Sequence, residues 1–179
     1  MTLPDGSLHP TEKALLDELG DLDPVEIYAD NADHWVTLID QAGQLVCVQT
    51  ASGEWSALDI LAHLVVVEIT NGLCYRAMLV QESPDLPDFD AGAWASVLRT
   101  PGIQALALLR MFRALRADTL VFWGSLDAAA RARVGIHSEC GPESIELRFR
   151  MLAGHDIQHL AQARRTVALV RAMGPGRNT

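Results

Sequence analysis

The stretch "LAGHDIQHLAQ", residues 152–162, places His155 and His159 four residues apart. On a helix this spacing puts two imidazoles on one side, about 6 Å apart at Cβ, close enough for one metal ion to take a nitrogen from each. Spacing alone decides nothing, because a chain of 179 residues with six histidines meets it often by chance. Two core histidines bonded to their surroundings read equally well. The face they occupy is informative: Ile145, Leu152, His155, His159, Ala163 and Val170 recur at helical spacing, so the pair points inward. There an imidazole without a partner costs about 1–3 kcal/mol.

His63 lies in the equally apolar "ALDILAHLVVVE" of a second long helix. Helical bundles assemble metal sites from side chains on facing helices, and a pair at i, i+4 plus one distant residue is a common three-ligand set. His63, His155 and His159 are therefore the expected ligands. A rival set joins His137 and Cys140 of "HSEC" to the pair, in the spacing of a closed zinc site. It fits poorly, since a chain rich in apolar residues has no need of a metal to fold. His9 and His34 show no partner pattern and read as surface or packing residues.

Three neutral imidazoles leave the charge of a divalent ion uncompensated and a coordination position open, as in catalytic rather than structural sites. Zinc, nickel or iron would suit imidazole ligands. Hydrolysis by an activated water and transfer of an activated thiol are both chemically available. No catalytic residue stands out, and Asp59 and Glu68 are the weak candidates for a general acid or base. Asp59 reads as well as a helix cap, and Glu68 as a solvated or paired carboxylate. Gln162 shares the histidine stripe and could orient a ligand. Asp156 points about 100 degrees away, toward the surface or a neighbouring arginine. Trp55 and Trp94 would wall a pocket or cover the end of a bundle.

The elements that must hold these residues are helices. A short one over 11–19 stops at Gly20. Asp23, Pro24 and Glu26 then open another that runs to about Gly43. "QLVCVQT" could be extended. Ser56, with Asp59 three residues later, caps a helix to about Gln81. The acidic, proline-containing "SPDLPDFDAG" is a loop and a candidate cover for the site. Thr100 and Pro101 start a helix over about 101–123, on which Arg110, Arg113 and Arg116 recur on a face apart from the apolar one. Pro142 starts the last helix, to about Met173. Strand signals are nearly absent. The fold class is all-α, a four-helix bundle with long or crossover connections. One domain spans 1–179, with its core over about 24–173, an N-terminal extension over 1–23 and a frayed tail at 174–179.

The chain carries 14 basic and 23 acidic residues, a formal charge of −9, which argues against nucleic acid as a partner. Thirteen of the basic residues are arginine. Three scattered cysteines, Cys47, Cys74 and Cys140, fit a reducing cytoplasm, and the N-terminus lacks the pattern of a secretory signal. The apolar run over 60–80 has the length of a membrane span but contains His63, Glu68, Asn71 and Arg76, as a buried bundle helix would. A small-molecule substrate remains, with neither nucleic acid nor membrane.

"GEWSALDILAHLVVVE" followed by "GIHSECGPESIELRFRMLAGHDIQHLAQARR" resembles the DinB superfamily, the DinB/YfiT-like metalloenzymes, over about residues 26–170. The family pattern runs from a Trp-Ser helix start before "HL" to "HDxxHLAQ". The resemblance implies a four-helix bundle of unusual connectivity that holds a divalent ion with His63, His155 and His159. It also implies a transferase or isomerase using a low-molecular-weight thiol, and allows a homodimer. The sequence departs from the pattern at Cys140, Arg148 and Arg150, none of them a ligand position. The alternative is a metal-binding bundle without catalysis, serving stress response or association; a metal-free interaction domain with three core histidines is a further one.

Overall fold

The computed structural model describes residues 8–87, 89–98 and 104–174. Among these residues the elements are α1 (Pro10–Leu19), α2 (Pro24–Ala42), a 3-10 helix (Gly43–Cys47), α3 (Ala57–Val80), β1 (Asp85–Leu86), α4 (Ala91–Leu98), α5 (Ala105–Gly124), α6 (Ala128–Arg131), β2 (Val134–His137), β3 (Gly141–Ser144) and α7 (Ile145–Met173). Caps set the bundle helices. The Asp23 carboxylate accepts from the Val25 N–H, and Ser56 and Asp59 form a reciprocal capping box at α3. Gly20 and Gly43, both at positive φ, end α1 and α2.

Four long helices form the bundle. α2 packs on α5 and α7, and α3 packs on the same two, so the consecutive helices α2 and α3 lie diagonally across it. Buried side chains give the directions. One cluster takes Trp35 and Leu38 from α2, Ile60 and Leu61 from α3, Phe112 from α5 and Leu160 and Val167 from α7. A second takes Tyr28, Tyr75 and Met78, Trp123, and Phe149 from the other ends of those helices. Thus α2 and α7 run one way and α3 and α5 the other, and the connection from α3 to α5 must return along the bundle. This is the crossover that the loop lengths allow.

Several local expectations need correction. "QLVCVQT" begins as a 3-10 helix rather than a strand. Three short strands are present: β1 pairs parallel with β2, and β2 antiparallel with β3. Pro142 lies in β3, and α7 starts at Ile145, capped by the Ser144 hydroxyl. The loop after α3 gives way to α4, where the Asp90 side chain accepts from the Ala93 N–H. Thr100 and Pro101 lie outside the described residues. α3 is the one described helix long and apolar enough to cross a membrane, but 72% of its apolar window is buried in the bundle, as for a core helix.

α1 docks on α7 at Gly154, next to His155. A Cβ added at Gly154 would sit 1.8 Å from the Leu15 carbonyl oxygen, a backbone atom that cannot turn aside. Helix propensity favours alanine there by about 1 kcal/mol; the forced displacement reverses this, and Gly154→Ala should cost about 1–3 kcal/mol net. The expected results are a lower melting temperature and faster proteolysis between α1 and α2. A variant as stable as the parent would mean that α1 does not seat on this glycine.

Candidate metal centre

His63 comes from the buried first half of α3, and His155 and His159 from successive turns of α7. The helices bring the three rings together: centroids are 5.1 Å apart for His63 and His155, 4.8 Å for His63 and His159, and 4.3 Å for His155 and His159. One nitrogen from each lies within 4.8 Å of the others, so the group could hold a metal ion, and it contains no carboxylate among the described residues. Trp55, just before the α3 cap, sets its ring 5.2 Å from that of His63. Gly92 of α4 approaches this indole, whereas Trp94 is exposed and pairs edge-on with Phe89.

The ring nitrogens converge. Nε2 of His63 and Nε2 of His155 face each other at 3.1 Å, while Nδ1 of both is buried without a protein partner. Nitrogens sharing an ion at about 2.0–2.1 Å lie within about 4 Å of each other, a condition this pair meets. His159 Nδ1 donates to Gln162 Oε1 at 2.8 Å. That bond places the ring proton on Nδ1 and leaves the Nε2 lone pair for a ligand bond.

Burial favours the neutral form of all three rings. Burial, then the neighbouring His159, pulls His63 down to about 4. Burial holds His155 well below its ordinary value, and the charges of His159, His63 and Arg116 add to this. His159 is lowered by burial, against the opposing pull of Gln162 and Asp156. Since unfolded histidine titrates near 6.5, the unfolded chain takes up protons below that pH which the folded chain refuses, and stability falls as pH falls. Metal-free protein should therefore lose melting temperature between about pH 6.5 and pH 5, above the range where most carboxylates titrate. His63→Asn should flatten that slope. A parent profile already flat in this window would contradict the desolvated cluster.

The weak catalytic candidates are engaged by other partners. The Asp59 carboxylate accepts from the Ser56 hydroxyl and backbone N–H at 2.6 and 2.8 Å. Glu68 pairs with Arg116, whose Nη2 is 3.0 Å from its Oε1, and accepts from the Thr119 hydroxyl at 2.8 Å. Asp156 is a partner of that arginine, 2.6 Å from Nη1, and is buried rather than superficial. Arg116 corrects the reading of the arginine face: unlike Arg110 and Arg113 it is only 2% exposed, lying over the rings of Tyr28 and Phe112. The rival zinc set also separates. His137 and Cys140 cluster with Glu143 on the β2–β3 hairpin. There His137 Nδ1 accepts from the backbone N–H groups of Glu139 and Cys140, and Glu143 is tied to Arg148.

The sequence matches the DinB superfamily over residues 11–163, a span that contains all three histidines and Gln162. The chain belongs to the DinB superfamily. Among solved structures this DinB-superfamily chain is similar to YfiT from Bacillus subtilis, with a TM-score of 0.68 at 16% identity, over 87% of this chain and 90% of that one. YfiT is described as "a probable metal-dependent hydrolase with an unusual four-helix bundle topology". At this identity the likeness is one of fold. A search of curated proteins gives no match.

Proposed function

We propose that this DinB-superfamily chain is a divalent-metal-dependent enzyme that transfers a low-molecular-weight thiol to, or isomerises, a small molecule, with His63, His155 and His159 as the metal ligands. The observation that carries the reading is the convergence of three imidazoles with no carboxylate among them. Such a ligand set contributes no negative charge of its own, so a divalent ion bound there would supply positive charge that strips the proton from a coordinated thiol. The remaining tasks fall to the chain. His63 and His155 present facing Nε2 atoms, and Gln162 fixes the tautomer of His159. Trp55 and α4 cover the His63 side.

Thiol transfer agrees with where the carboxylates went. Asp59 is engaged in capping and Glu68 in an ion pair, and a thiol that loses its proton outright has less need of a protein base than water does. The second reading is metal-dependent hydrolysis, favoured by the fold shared with YfiT. We propose that either activity acts on a small molecule in the cytoplasm, with a homodimer as the assembly. The described cysteines are free, which suits that compartment.

The test loads the purified protein with zinc, nickel or iron and presents panels of small thiols with electrophiles, and of esters with amides. Metal-dependent thioether formation, lost in His63→Ala, is expected. Ester or amide cleavage without conjugation would replace it with the hydrolase reading. Metal uptake with no turnover on either panel would leave a non-catalytic metal-binding bundle.

A further inference from the structure

Between the two apolar clusters lies one polar layer. Glu68 of α3, Arg116 of α5 and Asp156 of α7 are 6%, 2% and 2% exposed. Thr119 bonds to Glu68, and Asn31 of α2 donates to the Asp156 carbonyl at 3.2 Å, so all four bundle helices contribute. Buried charge is expensive, and an apolar layer of the same volume would often be as stable or more so. A reason other than stability is needed for keeping one cation and two anions there.

The position supplies it. Asp156 follows His155 directly and stands one turn before His159 on α7, where side chains three apart are neighbours. It acts electrostatically on His159, and Arg116 acts in the opposite sense on His155. We propose that the Glu68–Arg116–Asp156 layer is the counter-charge of the metal centre, setting how tightly the three imidazoles hold a divalent cation. With both carboxylates ionised, two against one guanidinium leave an excess negative charge beside ligands that contribute none. Arg116, held over Tyr28 at 4.0 Å, fixes both carboxylates in place and limits that excess to one charge. The three are positioning residues, since none belongs to the ligand group.

This inference rests on the metal reading above, and zinc affinity separates the two. Competition against a chromophoric chelator is measured for the parent, Asp156→Asn and Glu68→Gln. Each variant removes one negative charge without changing size, and from a different helix. Partners of this kind change metal affinity by about 10- to 100-fold, and Asp156→Asn should weaken zinc binding by that much while the metal-free protein keeps its helical spectrum. Glu68→Gln should follow in the same direction, and Asp156→Glu should recover most of the loss. Equal zinc affinity in the parent and in whichever neutral variant folds would overturn the inference and leave the metal reading intact. Failure of the parent to bind zinc, nickel or iron would overturn both.

Discussion

His155→Ala should abolish the stabilisation that zinc gives the parent protein. Zinc at about 1,000 times its dissociation constant adds about 4 kcal/mol to stability. At about 2–4 °C per kcal/mol for a domain of this size, the melting temperature should rise by about 8–16 °C. His155 is the choice because its Nε2 faces that of His63 and its ring lies against both partners. Without it two donors remain, on different helices, and the shift should vanish. The metal-free variant should melt near or above the parent, since a buried ring whose Nδ1 has no protein partner is gone. That opposition, loss with zinc and none without it, separates a ligand from a packing residue. Calorimetry with zinc and with chelator reads both arms, and a variant that keeps the zinc shift would remove His155 from the ligand set.

Arg116→Met should be the most damaging substitution for stability. It keeps much of the side-chain volume but strands Glu68 and Asp156 with no cation between them. Breaking a buried ion pair from one side costs about 3–5 kcal/mol, or about 6–20 °C in melting temperature for a domain of this size. Substituting all three, Arg116→Met with Glu68→Met and Asp156→Leu, removes the stranded charges and should restore most of the loss. The triple variant would then be as stable as the parent yet bind zinc poorly. If Arg116→Met alone melts within 2 °C of the parent, the layer does not carry its charges buried as the geometry implies.

The histidine triad was legible because it rests on local rules: a four-residue spacing on one stripe, and a third imidazole inside an apolar helix. The caps at Asp23 and Ser56 and the stops at Gly20 and Gly43 were legible for the same reason. Arg116 was not. Its spacing from Arg110 and Arg113 looks like a solvated face, and what draws it inward is Glu68 and Asp156, on other helices and 48 and 40 residues away in sequence. Strands β1 to β3, of two to four residues, are too short to show alternation, and β1 finds its partner only across the chain. α4 escaped because the prolines before it dominate the segment, although Asp90 three residues before Ala93 was an available cap signal. Gln162 was legible as a neighbour of His159 by spacing; which nitrogen it bonds required the folded geometry.

The diagonal placement of α2 and α3 has a consequence for the order of assembly. Helices adjacent in sequence usually meet first, because short loops cost little entropy to close. Here α2 must wait for α5 and α7, both of which follow α3 in the sequence. His63 and His155 are likewise 92 residues apart. His63 is therefore made long before His155 and His159, and the three imidazoles meet only when α3 and α7 do. The three-histidine group thus depends on α7 having docked on α3, because His63 alone offers one donor of the three.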